Sequence, residues 1–134
     1  MTDLNWMPKN PTIADSDIRN DRFRRVFDTI ARAIIPFFDV PHAYYGDLLW
    51  DTDTALRLPV GDTVFLIARS MGTTLCFPKD QSFDSIAVCY AEARAGADSC
   101  AMRNYPAGVF AVRRDENNHI TVTHCVTRNF GDAA

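Results

Sequence analysis

Three histidines and four cysteines are the residues of this sequence best suited to acid–base, nucleophilic or metal chemistry. His124 is the sharpest of them. It falls among Ile120, Val122 and Val126 on one face of an alternating segment. A half-buried imidazole there can act as a general acid or base near neutral pH, or can hold one backbone carbonyl within a core. An enzyme built on it would draw on Tyr90, Tyr105, Cys89 or Asp98. The sequence supplies no orienting carboxylate beside it. His119 sits at the shoulder of a hairpin and reads as exposed. Cys125 directly follows His124, so on a strand the two side chains point to opposite faces and form no dyad. Cys89 and Cys100 stand near Arg94 and Arg103, but Glu92 and Asp98 offset the positive charge that a thiolate needs. Structural zinc draws on close ligand pairs, whereas successive cysteines here are 13, 11 and 25 residues apart. Four free, inert thiols are the expectation, with no metal and no cofactor.

No GxGxxG, GxxxxGK[ST] or GxSxG occurs among the six glycines, so nucleotide binding and serine hydrolysis with those signatures are not expected. The segment Leu48-Leu49-Trp50-Asp51-Thr52-Asp53-Thr54, an apolar run entering Asp-x-Asp-x-Thr, resembles the nucleophile motif of haloacid-dehalogenase-type phosphatases. Val64–Ser70, a buried strand ending in Ser, resembles that family's second motif. The resemblance implies two parallel strands, and a parallel return needs about a dozen residues, usually a helix. Only residues 55–63 lie between, with Pro59 and Gly61 among them. The resemblance therefore assigns no roles. Asp51-x-Asp53 also lacks the further oxygens, glycine and closing glutamate of a calcium loop.

One surface remains. Tyr44, Tyr45 and Trp50 are interleaved with Asp47, Asp51 and Asp53. Aromatic residues anchor protein interfaces and charges steer the encounter, so these six residues are the expected docking surface for a protein partner with a basic face. Covering a sheet edge or a helix end is their alternative use.

The balance of 14 basic against 17 acidic residues leaves a net charge of −3, which argues against direct binding to nucleic acid. Hydrophobic residues make up 47% and charged residues 23%, the balance of a globular chain rather than a disordered one. No apolar run approaches the roughly 20 residues needed to span a bilayer. The first residues lack the basic and apolar regions of a secretory signal, so the cytoplasm, of its own cell or of a host, is the expected location.

The elements that must position these residues follow from periodicity. Residues 1–14 read as an extended arm preceding a single domain over 15–134. Residues 16–35 form the clearest helix, with Phe23, Val26, Phe27, Ile30 and Ile34 on one face, Ser16 or Asp17 as cap and Pro36 as terminator. Residues 36–62 read as a long connection with one short strand or helical turn near 44–50. Thr63–Ser70 is apolar on both faces, as a central strand is. Met71-Gly72 supplies a turn and Thr73–Phe77 returns. Residues 80–95 fit a helix through Phe83, Ile86, Ala87 and Tyr90, capped by Gly96, and also a strand through Ile86, Val88 and Tyr90; a helix is the expectation. Val109–Arg113 and His119–Val126 form a second hairpin around a polar loop. The expected fold is α+β: an antiparallel sheet of four to five strands built from two hairpins, with a long N-terminal helix and a second helix on one face.

A compact acidic domain without a readable catalytic constellation leads to the functional expectation of a protein-binding, regulatory module. Small accessory proteins of phages or mobile elements that inhibit a host defence protein have this profile. The alternatives are a small enzyme using His124 and a homodimeric structural subunit.

Overall fold

The computed structural model describes residues 20–37, 45–69 and 72–129. The arm at 1–14, the expected caps Ser16 and Asp17, and His42 and Tyr44 lie outside them. The described elements are α1 (Asp21–Ile34), α2 (Tyr45–Leu56), β1 (Thr63–Arg69), β2 (Gly72–Cys76), α3 (Phe83–Met102), β3 (Ala107–Arg114) and β4 (Ile120–Arg128). The four strands form one antiparallel sheet in the order β2-β1-β3-β4, so the expected α+β fold with two hairpins is the one observed.

The helices do not share a face. β1 is apolar on both sides, and its alternation sends Val64, Leu66 and Ala68 one way and Phe65 and Ile67 the other. The first set joins Phe110 and Val112 of β3 under α1 and α2. The second joins Val109 under α3. A sheet with two apolar faces needs cover on both, and the connectivity supplies it. β2 and β3 both run antiparallel to β1, hence parallel to each other, and a parallel return requires a crossover such as α3.

α1 buries the stripe read from its periodicity, Phe23, Val26, Phe27, Ile30 and Ile34, together with Ala31. Its described cap is Asn20, whose side-chain oxygen accepts from the backbone N–H of Arg22 at 2.8 Å and of Phe23 at 3.3 Å. Asn20→Ala should lower stability by about 1 kcal/mol, measured by urea denaturation, because those two donors lose their acceptor. On the outer face Asp28 and Arg32 pair at 2.8 Å.

α3 is longer than expected and runs through Gly96. A Cβ on Gly96 would lie 3.1 Å from Cδ1 of Ile67, so this glycine lets the helix approach the sheet rather than ending it. Cys89, Ala93, Ala97 and Ala101 form the rest of that close-packed line. The helix ends at Arg103. Asn104 follows in the left-handed region (φ 66°), and the amides of Asn104 and Tyr105 return to the carbonyls of Ala101 and Cys100. This is a Schellman closure with asparagine in the position glycine usually takes.

Gly72 pairs with Arg69 inside the first hairpin instead of forming its turn. In the second hairpin Phe110 faces His124 while Val109 faces Val126, so Cys125 is an extra residue, a β-bulge. The bulge resets the alternation. Ile120 and Val122 pack toward the α1 side, and Val126 packs with the α3 cluster, so the four residues Ile120, Val122, His124 and Val126 do not share one face.

Candidate functional site

The segment expected to be a connection is the helix α2, and the helix sorts its acids. Asp47 and Asp51 are four residues apart and lie on one face. That face closes on the start of β2, where Asp47 Oδ2 accepts the backbone N–H of Thr73 at 3.0 Å and Asp51 Oδ2 accepts the Thr73 hydroxyl. Asp51 is only 5% exposed. Burial pushes its carboxyl up to about 7; the Thr73 hydroxyl pulls it down and the neighbouring Asp47 charge pushes it up again. Gly72 (φ 154°) lets the backbone pass directly under this pair, since a Cβ there would collide with the Asp47 carboxylate. Thr52, also buried, returns its hydroxyl to the Leu48 carbonyl at 2.7 Å. These buried polar side chains explain why the helix was illegible: Leu48, Leu49 and Ala55 face the core, but Asp51 and Thr52 are buried beside them and break the apolar period.

Of the six residues expected to form a docking surface, Asp47 and Asp51 thus each give one carboxylate oxygen to Thr73. Asp53 turns outward and pairs with Arg57 at 3.1 Å. Trp50 is 52% exposed. Tyr44 and the side chain of Tyr45 lie outside the described residues.

His124 stands on β4, an edge strand, and is exposed. Its ring stacks on Phe37 at 4.0 Å and 10°, meets the edge of Phe110 at 5.3 Å, and places Nε2 2.7 Å from the Thr127 hydroxyl. The described partners of the imidazole are two aromatic rings and a hydroxyl, an arrangement that covers Phe110. Asp98, one of the groups considered for an enzyme, instead pairs with Arg128 and ties α3 to the end of β4. All four cysteines are free thiols. Burial pushes the Cys76 and Cys89 thiols up, with the Glu92 carboxylate adding to both, and burial raises Cys125 as well. Among the described residues no three His, Cys, Asp or Glu side chains converge as a metal site, and no helix is long and apolar enough to cross a membrane.

The arrangement that sequence reasoning missed lies on the opposite side of the sheet. The chain leaves β2 through Phe77, Pro78 and Lys79 and enters α3 at Phe83. Ser82 caps the helix, its Oγ accepting the Ser85 N–H at 3.2 Å, while Asp80 accepts the Ser82 N–H at 2.9 Å. Hydrogen bonds from Ser82 hold the Asp80 carboxyl below the usual range. These caps fix the first turn of α3 against the exit of β2, and between the two lies a groove of about 360 Å³. Phe77, Pro78 and Lys79 form one wall, Asp84, Val88 and Glu92 the other, and the buried Cys89 lies at the base. Phe83 is 86% exposed and Phe77 61%. Val88 and Met102 are also exposed on the outer face of α3, where the small Ala87, Ala91 and Ala95 are interleaved with Asp84, Glu92 and Arg94. The sequence did hold a signal. Residues 80–95 fitted both a helix and a strand because Val88, on the solvent side of a real helix, sits between Ile86 and Tyr90 as a strand residue would.

Comparison with family models, with curated proteins and with solved structures finds no match to this chain.

Proposed function

We propose that this chain is a protein-binding, regulatory module that docks through the outer face of α3 and the exit of β2. The observation that carries the reading is the exposure of Phe77 at the exit of β2 and of Phe83, Val88 and Met102 on α3, a helix whose inner face is already satisfied by the sheet. Aromatic side chains left in water beside a groove are the anchors that interfaces use. The net charge of −3 supports a partner with a basic surface. An accessory protein of the kind carried by phages or mobile elements, inhibiting a host protein in the cytoplasm, is the role that fits such a module. Among the described side chains of the acidic–aromatic surface, Trp50 and Asp53 face outward from α2, across the sheet.

The two surfaces separate by mutation. A partner captured from a lysate of the native host by the wild-type chain should be lost with Phe83→Asp plus Val88→Ser and retained with Trp50→Ala. Retention by the α3 variant with loss by Trp50→Ala would move the interface to α2. All these side chains are more than half exposed, so the variants should fold, which circular dichroism checks.

The same face supports a second reading, pairing of two copies. Asp84 stands in the first turn of α3 and Arg103 at its C-terminal cap, so antiparallel copies would set the acid of one toward the base of the other, as a two-fold interface requires. Sedimentation velocity separates it, since this reading alone gives a dimer without a partner.

A further inference from the structure

We propose that the groove between the exit of β2 and the first three turns of α3 receives an arginine side chain of the protein partner. The inference deepens the docking reading and rests on it. Two carboxylates, Asp84 and Glu92, line the groove against a single ammonium, Lys79, so its balance is negative. Its apolar area comes from Phe77, Pro78 and Val88, of which Phe77 and Val88 are more than half exposed. The guanidinium group satisfies both features at once. It is planar, stacks on an aromatic face, and pairs with carboxylates through fixed donors. Its three-methylene stem covers apolar surface on the way in. An aliphatic side chain would leave the acids unused, and a partner carboxylate would meet two like charges. A lysine would pair as a point charge without the stacking. The groove does not depend on a moving part, because Asp80 and Ser82 fix the entry to α3.

The test uses three capped tripeptides, Ala-Arg-Ala, Ala-norleucine-Ala and Ala-Glu-Ala, titrated into the isotopically labelled full chain and followed by amide chemical shifts. The arginine peptide should shift the amides of Phe77, Lys79 and 84–92 saturably, and bind about fivefold to tenfold more tightly than the norleucine peptide, the scale of one cation–π contact with a charge pair. In Asp84→Asn plus Glu92→Gln, whose altered side chains are exposed, that advantage should fall to the about twofold that stacking on Phe77 alone supplies, while the wild-type fingerprint persists. Equal binding of arginine and norleucine overturns the arginine assignment and leaves the docking face standing. So does an arginine advantage left undiminished in the double variant. No shifts in the groove with any peptide overturns the groove as a subsite, a result independent of the capture experiment with Phe83 and Val88. Peptide-free shifts that grow with protein concentration and disappear in Arg103→Ala overturn it in favour of a second copy.

Discussion

Replacing Asp51 with asparagine should make the protein more stable at pH 8 and remove most of the dependence of stability on pH between 4 and 7. Asp51 is 5% exposed, and burial, with the Asp47 charge adding to it, raises its carboxyl from 3.8 to about 7. For an acid raised in the folded state, the folded protein holds its proton more tightly than the unfolded chain does. Its stabilising contribution is therefore complete below the unfolded value, and falls as pH rises from about 4 through about 7. A shift of about three units corresponds to about 4 kcal/mol at most, the cost of keeping a carboxylate in this site at pH 8. Asparagine keeps an oxygen for the Thr73 hydroxyl and carries no charge beside Asp47. Urea denaturation at several pH values should show the wild type losing stability across that window and Asp51→Asn nearly flat, with a gain in melting temperature on the order of 10 °C at pH 8. Asp53→Asn, which touches only the pair with Arg57 on the surface, should run parallel to the wild type. If Asp51→Asn also runs parallel, the carboxyl titrates as an ordinary acid and the burial argument fails.

Phe110→Ala should cost about 3–5 kcal/mol, whereas Phe83→Ala should leave stability within about 0.5 kcal/mol. The residue type is the same and the surroundings are opposite. Phe110 is fully buried at the centre of the sheet, under Phe37 and against His124. Its removal leaves a cavity flanked by β1 and β4, which cannot close without breaking their pairing with β3. Phe83 is 86% exposed and packs little that folding created. Its cost should appear in partner capture instead. Thermal melts and capture on the two variants thus form a crossed pair: Phe110→Ala loses stability, and Phe83→Ala loses binding. A marked loss of stability in Phe83→Ala would mean that this ring is a structural element, and the docking face would lose its anchor.

The parts of this fold that announce themselves in the sequence are those where one physical signal dominates. α1 has an unbroken apolar stripe from Phe23 to Ile34 and a proline after it, and β1 has five apolar residues in a row, Val64–Ala68. α2 stayed hidden because part of its buried face is polar. Asp51 and Thr52 enter the interior to serve Thr73 and the Leu48 carbonyl, and no apolar count registers them. The end of α3 was misplaced for a related reason. Gly96 reads as a cap by type, yet it is used for closeness to Ile67, while Asn104 does the capping by geometry. The candidate surface behaved similarly. The acids at 47 and 51 are visible in sequence, but whether a carboxylate faces water or a threonine depends on β2, which follows more than twenty residues later. The groove was illegible because it is formed between two elements, and neither wall carries a motif.

The extra residue at Cys125 has a consequence for the molecule in a crowded solution. β4 is a nine-residue edge strand, and from Ile120 to Thr127 it carries no lysine, proline or acid. Such a strand is a template on which other copies can add, the first step toward fibrils and precipitates. The bulge shifts the phase of the backbone partway along and increases its twist, so a straight incoming strand can match the edge before position 125 or after it, but not along its whole length. A single inserted residue thus caps how far stacking of this protein can propagate, and makes this edge of the described sheet tolerable.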